Sequence, residues 1–514
     1  MISNSKQEAV KVGVLTLIAN LLGKSISIPT SIIVASILGP KDYGLLAVVN
    51  IIIQYMSYLN LGVLMNLSRE VPIAYGKNDL DEVKLIKNTV FTNYTITTVF
   101  SVLLLWILVY LGFDYKESLN YSLVLIITFM VLLANLDSFF HNYVKGEGKF
   151  IIFGQYELII KIGLPLSNVI LVYFLGIYGM LYSMMIGHII GFLFIYTKLN
   201  TPKIKFKLNW QKSKILFRTG FMMYLNKIID GIFISIGVLI SSKFLTQSDV
   251  GVLSYAMVIA SATKVPFADI LSITVNRKMA VDSGKYGEND FSIYTKYFGK
   301  PLIVFLLLTT TIIGIIVLIY SYSINAFLPK FSESIPLFRV LFFAVVFYNS
   351  RYFLYGYLNA TRQMNKRTLV TIIAIVVTLS STWLFVYLNL GIFGVALGVS
   401  IGFMLISINT IIVTFSQVFQ KRSIALLFLT KLLVISTVLT FLLFLSGEIV
   451  IFDNNYFFNL VGKLSILTID LVLKILIFMI ISFLLFSILF KEYRIVKEFK
   501  KIWIYSKSIL NKHF

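Results

Sequence analysis

The chain of 514 residues contains no cysteine. That excludes disulfides and thiolate metal sites, and it leaves the redox compartment unread. Histidine is nearly as scarce. His141, His188 and His513 are too few and too scattered along the chain for a metal cluster, so no metal and no cofactor are expected. Charged residues make up only 13% of the chain against 58% hydrophobic ones. A soluble protein of this length needs a larger charged surface, and the mean hydropathy of +0.88 points to the membrane class. Acids are the scarcer charge, 23 against 45 Lys and Arg, for a formal net charge of +22. Such a surplus can mark a nucleic-acid binder. Here it sits in short loops between long apolar runs, which instead suits loops held against the anionic lipids of a cytoplasmic membrane surface. Lys outnumbers Arg by 36 to 9, a bias that an AT-rich bacterial genome would give.

What the sequence has in abundance is apolar runs of membrane-spanning length, about 20 residues each. Fourteen are expected, at about 12–38, 44–66, 88–111, 118–142, 151–174, 177–197, 215–244, 251–275, 298–320, 333–358, 367–388, 392–416, 424–447 and 465–490. The first is too long for a signal-peptide core and reads as a span. With the N-terminus in the cytoplasm and the sides alternating, cytoplasmic segments hold 32 of the 45 basic residues. The outer loops hold four: Lys41, Lys116, Lys330 and Lys463. This asymmetry orients both termini to the cytoplasm and supports an even number of spans.

The chain also repeats itself. Asp42-Tyr43-Gly44 matches Asp249-Val250-Gly251, Tyr75-Gly76-Lys77-Asn78-Asp79 matches Tyr286-Gly287-Glu288-Asn289-Asp290, and Gly176-Ile177-Tyr178-Gly179 matches Gly391-Ile392-Phe393-Gly394. The matches occur in order and at equivalent places in the span count. They predict an all-α integral membrane protein with two pseudo-symmetric six-helix bundles, residues 1–200 and 201–420, followed by two extra spans in 421–490. A basic linker, 198–218, opens the second half. The tail, 491–514, reads as a basic amphipathic helix on the cytoplasmic surface, with Ile495, Phe499, Ile502, Trp503 and Ile509 near one face.

Ionisable groups inside spans are costly, so they usually face a partner or a cavity. Span 1 carries Asn20, Lys24, Ser27 and Ser31 on one helical face, with Gly23 and Pro29 expected to let it bend. Span 2 carries Asn50, Gln54 and Ser57 at the same spacing. Span 7 has Asn226, Lys227 and Asp230, and span 8 has Ser254, Ser261 and Lys264. Lys24 and Lys264 have no acid on their own helix within four residues, which favours a water-filled cationic cavity suited to a phosphate-bearing ligand. Lys227 reads equally as half of a pair with Asp230, and the polar stripes as interhelical hydrogen bonding. Span 10 carries Arg339 and, among Tyr348, Tyr352, Tyr355 and Tyr357, Arg351; this suits sugar rings and pyrophosphate, or an interfacial aromatic belt. Of the intramembrane acids, Asp137, Asp230 and Glu157 are candidates for coupling to H+ or Na+. Glu157–Lys161 and Asp470–Lys474 at i,i+4 can equally neutralise each other, and Asp137 with His141 at the same spacing can be a proton relay or a helix-end hydrogen bond.

Enzyme motifs give little. Gly23-Lys24-Ser25 resembles the end of a P-loop, but Ile18 stands where a glycine is required. Asp79-Leu80-Asp81 imitates a glycosyltransferase metal motif within a loop of mixed charge. No outer loop is long enough for a catalytic domain.

The run Ile37-Leu38-Gly39-Pro40-Lys41-Asp42-Tyr43-Gly44, the polar second span, Arg69-Glu70 and Tyr75-Gly76-Lys77 together resemble the N-terminal signature of Wzx-type polysaccharide flippases. The two-by-six-plus-two layout is similar to that family, within the superfamily that also holds multidrug exporters and lipid II flippases. The resemblance implies alternating access, with a lipid-pyrophosphate-linked oligosaccharide entering a cationic lumen in a bacterial cytoplasmic membrane. Central lysines stand here where arginines are common in relatives. A cation-coupled multidrug exporter of the same fold is the alternative, although it would need an acidic cavity. A membrane-embedded glycan polymerase or glycosyltransferase is the third reading.

Overall fold

A computed structural model describes residues 2–111, 121–199, 204–261, 295–361, 363–448 and 463–491. Among the described residues every regular element is a helix. The α-helices are α1 (Ile2–Tyr58), α2 (Met65–Gly76), α3 (Leu80–Tyr110), α4 (Tyr121–Gly146), α5 (Phe150–Lys198), α6 (Trp210–Phe244), α7 (Gln247–Ser261), α8 (Thr295–Phe298), α9 (Lys300–Phe327), α10 (Ser334–Ala360), α11 (Met364–Tyr387), α12 (Gly391–Phe419), α13 (Arg422–Glu448) and α14 (Lys463–Leu489). Among the described residues eleven stretches are long and apolar enough to cross a membrane. Two of them, in α1 and α5, each hold two of the expected spans, so thirteen of the fourteen are accounted for. The fourteenth, 251–275, is described only as far as Ser261.

The two double helices break at single glycines. α1 leaves helical geometry at Gly39, with φ 68°, and α5 at Gly176, with φ 56°. Both values lie where side chains with a Cβ are disfavoured. The bend expected near Gly23 and Pro29 is absent as a backbone break, since Gly39 is the one non-helical position recorded in α1. In α5 the two halves fold back on each other. Ser167 Oγ lies 2.6 Å from Ser183 Oγ, and Gly179 sits directly on the Leu171 carbonyl.

Helix starts also differ from the sequence expectation for local reasons. α3 begins at Leu80 rather than near 88 because Asp79 caps it, accepting a 2.9 Å bond from the Glu82 amide. Asp81 and Glu82 in the first turn complement the helix dipole. α2, which carries the Arg69-Glu70 and Tyr75 part of the signature, is a separate short helix.

The chain divides into two compact units, Met1–Gly251 and Val252–Phe514. In the first, Val63, Leu67, Val83, Val90, Phe139 and Ile195 form one core joining α2, α3, α4 and the end of α5. Val34, Leu45, Val49, Ile127, Met130, Val172 and Leu181 form another joining α1, α4 and the middle of α5. Lipid is as apolar as these side chains, so close packing and small residues hold such helices together. Gly44 of α1 lies against the Gln247 backbone and Gly251 of α7, and Gln247 Nε2 donates to the Lys41 carbonyl at 3.0 Å.

The linker is fastened to this first unit rather than lying loose on it. The Lys205 and Lys207 amides donate to Asn88 Oδ1 and Thr92 Oγ1 on α3, both at 2.9 Å. Lys212 pairs with Glu82, Ser213 exchanges hydrogen bonds with Asn93, and Asn66 donates to the Leu216 carbonyl at 2.9 Å. α6 is thereby stitched to α2 and α3. Phe206, Leu208 and Trp210 remain exposed.

In the second unit α10 is the most enclosed span. Phe305 of α9 meets Phe353 of α10 with ring centroids 5.9 Å apart. Asp470 and Lys474 of α14 form the expected ion pair at 2.7 Å, both nearly buried, with Lys474 also donating to the Tyr322 hydroxyl of α9 at 2.6 Å.

A cluster beside α2 offers a stability test. Glu147 pairs with Lys87 and accepts from the Tyr75 hydroxyl at 3.0 Å. Burial, with Glu147 next to it, pushes the Tyr75 hydroxyl up to about 12, so it stays a donor at neutral pH. The side chains of Lys87 and Glu147 are 12% and 14% exposed, against 72% and 95% for the surface pair Lys84–Asp81. Glu147→Ala is expected to cost roughly 2 kcal/mol, between the limits for surface and buried pairs. Asp81→Ala should cost less than about 0.5 kcal/mol. Thermal unfolding of the two variants in detergent checks the order; equal losses contradict it.

Candidate functional site

The first unit gathers its charges where α1, α4, α5 and α6 meet. Glu157 of α5 is the centre. It pairs with Lys161 one turn away and lies 3.1 Å from His141 Nε2 of α4. Lys145, also on α4, lies within Coulombic reach of Glu157, Lys161 and Lys227 of α6. The Lys145 ammonium sits 4.7 Å above the Phe153 ring, and the Lys227 ammonium 5.2 Å from the Tyr224 ring. α1 approaches through Gly23, where a Cβ would fall 2.8 Å from Lys161 Cβ. Lys161 and Lys145 thus lie close to one glutamate, and Lys227 joins them through Lys145, so that lysines outnumber the acid. The i,i+4 pair expected of Glu157 and Lys161 exists, but it belongs to this larger group.

A second group adjoins the first. Asp137 of α4 is nearly buried, and its Oδ2 accepts from the Tyr156 hydroxyl at 2.8 Å and lies 2.9 Å from His188 Nδ1. The relay between Asp137 and His141 is thus corrected: each partners α5 instead. On a straight helix, i and i+4 share a face but point at different neighbours, and α5 supplies a counterpart to each. Asn135 extends the polar layer, accepting from Tyr94 at 3.0 Å and from Asn60 at 3.3 Å.

The polar stripe of span 2 packs against α6. Gln54 donates to the Tyr58 hydroxyl, and Gly231 of α6 leaves room for both side chains. Tyr55 and Ser235 hydroxyls are 2.7 Å apart, and Asp230 lies within Coulombic reach of Tyr58. Gln54 and Ser57 bond within α1, Ser57 Oγ donating to the Gln54 carbonyl at 2.6 Å, while Asn50 is exposed. Ser27 is half-buried and its carbonyl accepts from Thr30. Asn20 and Lys24 stand on α1, and Ser261 ends α7, but their side chains lie outside those described; Lys264 lies outside the described residues altogether.

In the second unit the Arg351 guanidinium stacks on Tyr348 at 3.7 Å and on Tyr355 at 5.3 Å. It is 3% exposed, so an interfacial belt does not describe it. Arg367 of α11 caps the Tyr355 ring at 4.2 Å. Arg339 stands elsewhere on α10, 5.3 Å from the Phe444 ring. Lys145, Arg367 and His188 were missed from sequence. The first two fall at expected span ends, where a cation reads as an anchor. His188 carries no spacing signal, because its acid lies 51 residues away.

Residues 33–276, just under half of the chain, match the family described as polysaccharide biosynthesis protein. No curated protein sequence gives a significant match. Among solved structures, the fold resembles that of a lipid II flippase MurJ in an inward closed conformation. The TM-score is 0.67 at 16% identity, covering 94% of this chain and 99% of that one. It also resembles an inward-facing multidrug resistance MATE family transporter of the MOP superfamily, at TM-score 0.62 and 15% identity over 80% and 98% of the two chains. A eukaryotic MATE transporter gives 0.54 at 14% identity over 80% and 98%. The family match over residues 33–276 and the fold shared with these structures make the chain a multi-pass membrane protein similar to polysaccharide biosynthesis proteins.

Proposed function

We propose that the protein moves a polyprenyl-pyrophosphate-linked oligosaccharide across a bacterial cytoplasmic membrane by alternating access, supplying surface polysaccharide synthesis. The observation that carries this reading is the cluster in which Glu157 pairs with Lys161, and Lys145 lies within Coulombic reach of Glu157, Lys161 and Lys227. Positive charge on spanning helices is costly alone. A pyrophosphate offers the missing counter-charge, while the lipid tail stays in the bilayer. Lys24 and Lys264 remain candidate ligand contacts from the sequence, and the Arg351–Tyr355–Arg367 stack suits pyrophosphate or sugar rings in the second unit. The multidrug-exporter alternative shares the fold. It asks for a net acidic site, and the charge on the first unit argues against that.

Ion coupling belongs to the same reading, with Asp137, Glu157 and Asp230 as candidate H+ or Na+ sites. So do two six-helix repeats, anionic lipids at the basic cytoplasmic face, and cytoplasmic termini. Because the chain has no cysteine, orientation can be tested without background. Asn78→Cys and Gln211→Cys, both at exposed positions, should resist an impermeant thiol reagent in intact cells, and Lys41→Cys should react. Labelling of the first two from outside sinks the orientation. The function is tested by complementation. In a flippase-deficient strain the wild-type chain should restore surface glycan. Lys24→Arg and Lys264→Arg should keep most of it, and Lys24→Glu should lose it at normal membrane abundance.

A further inference from the structure

Residues 204–221 run from the linker into α6 with one face fastened and the opposite face open. On the fastened face the Lys205 and Lys207 amides bond to Asn88 and Thr92 of α3, Lys212 pairs with Glu82, and Ser213 and the Leu216 carbonyl bond to Asn93 and Asn66. Gly220 then lies directly on the Gly62 carbonyl. The open face of α6 carries Lys214, Arg218 and Phe221 at helical spacing, all exposed, with exposed Ile215 beside them. Ahead of them, exposed Lys205 and Lys207 alternate with Phe206, Leu208 and Trp210, which are 66%, 58% and 78% exposed.

Water is a poor neighbour for so many large apolar side chains, and hydrocarbon is a poor neighbour for lysine. The boundary of a bilayer takes both, the rings and aliphatic stems at the acyl edge and the charges among the headgroups. The depth along α6 agrees. Its apolar span is Tyr224–Phe244. Phe221 stands about 4.5 Å before that span and Arg218 about 9 Å, at 1.5 Å per residue. Headgroup layers are roughly 5–8 Å thick on each side. Phe221 thus meets the acyl boundary, Arg218 the headgroups, and Lys214, one turn farther out, their outer edge.

We propose that Lys214 and Arg218, flanked by Trp210 and Phe221, bind the headgroup of an acidic phospholipid, with the strap through Lys205 and Lys207 lying along the same lipid surface. The guanidinium takes two phosphate oxygens at once, and the ammonium adds a point charge about 6 Å along the helix. Charge complementarity favours this occupant. No acid stands anywhere between Glu157 and Asp230 in the sequence. The acids on the neighbouring helices are engaged elsewhere. Asp79 caps α3, Asp81 meets Lys84, Glu82 meets Lys212 on the back of α6, and Glu70 and Glu147 meet Arg69 and Lys87. The site uses none of the residues of the Glu157 cluster and stands whatever the protein transports. Because the back of the same segment holds α2 and α3, a lipid bound in front stabilises that junction.

The test uses the full chain in nanodiscs of phosphatidylcholine, alone or mixed with phosphatidylglycerol. Thermal unfolding is followed, and the lipid retained after extraction is counted by native mass spectrometry. Wild type should unfold at a higher temperature with phosphatidylglycerol and retain it at least tenfold in preference to phosphatidylcholine, less so as salt is raised; two cations at such a surface account for a factor of roughly thirty. The Lys214→Gln/Arg218→Gln double variant should lose most of the preference and of the temperature gain. Each single variant should lose part, which keeps the test decisive if the double variant does not fold. Lys214→Arg/Arg218→Lys should keep both effects. So should Lys77→Gln/Lys84→Gln, which removes two exposed lysines elsewhere in the same unit. Equal retention of the two lipids by wild type, or an undiminished preference in the double variant, overturns the proposal. It is overturned as well if phosphatidylglycerol has no effect while farnesyl diphosphate in phosphatidylcholine discs raises the unfolding temperature through Lys214 and Arg218, since the face would then serve a diphosphate headgroup.

Discussion

Lys161→Glu should reduce surface glycan at least tenfold in a complemented flippase-deficient strain, with the protein still in the membrane at normal abundance. Lys161 shares Glu157 with His141 and stands in the field of Lys145. Reversing its charge leaves two carboxylates at i,i+4 and cancels the net positive charge of Lys145, Lys161, Lys227 and Glu157. Two unit charges ~5 Å apart at an effective dielectric of about 20 interact by roughly 3 kcal/mol. A loss of ~1.4 kcal/mol of binding is already tenfold. Lys161→Arg should retain most of the activity. The swapped double variant, Glu157→Lys with Lys161→Glu, restores the net charge and should recover part of it. Equal loss in the swapped and single variants would mean that packing against Gly23, not charge, is what Lys161 supplies. Membrane abundance is quantified in each case by immunoblot.

Gly62→Val should have the largest effect on folding. Gly62 has φ 73°, in the region that β-branched side chains avoid most strongly. A Cβ there would also fall against the Gly220 carbonyl and Tyr224 Cβ, both in α6 and both closer than van der Waals contact allows. Gly220 faces Gly62 in the same way. Backbone strain and overpacking each cost about 1–3 kcal/mol, and here they add at one crossing. The expected result is a several-fold fall in membrane abundance and a lowered unfolding temperature in detergent. By contrast, Gly163→Ala has open space around it and a helical backbone, and should be neutral or slightly stabilising. Normal abundance of Gly62→Val would show that α6 does not meet the turn between α1 and α2 at backbone contact.

Much of the fold was legible in the sequence because a bilayer leaves few choices. Backbone groups in lipid must be satisfied within a helix, so span length and charge asymmetry locate the elements. Thirteen of the expected spans have counterparts among the described helices. What misled was local chemistry. Asp79 starts α3 early because a cap operates on one residue, below the resolution of hydropathy. Pro29 does not break α1, since neighbouring helices can re-satisfy a freed carbonyl.

The site was legible in kind and less so in detail. Intramembrane lysines drew attention to Lys227, which lies within Coulombic reach of Lys145. Its companions, Lys145 and Lys161, were discounted for ordinary reasons: one stood at a span end, the other had an acid a turn away. Asp137 was paired with the wrong histidine because spacing along one helix is visible in sequence and contact between helices is not. The Gln54 stripe shows the same limit: its spacing fits a lumen face or a helix seam equally, and only α6 packing on it decides.

The most direct test of the central claim is translocation by the purified chain in proteoliposomes. A polyprenyl-pyrophosphate-linked oligosaccharide would be placed in one leaflet, and its appearance in the other followed by cleavage with an impermeant glycosidase. The account predicts transfer that depends on the protein, is lost with Lys161→Glu, and is competed by a prenyl diphosphate but not by a lipophilic cation. Transport of the lipophilic cation, with no transfer of the lipid-linked glycan, would contradict it.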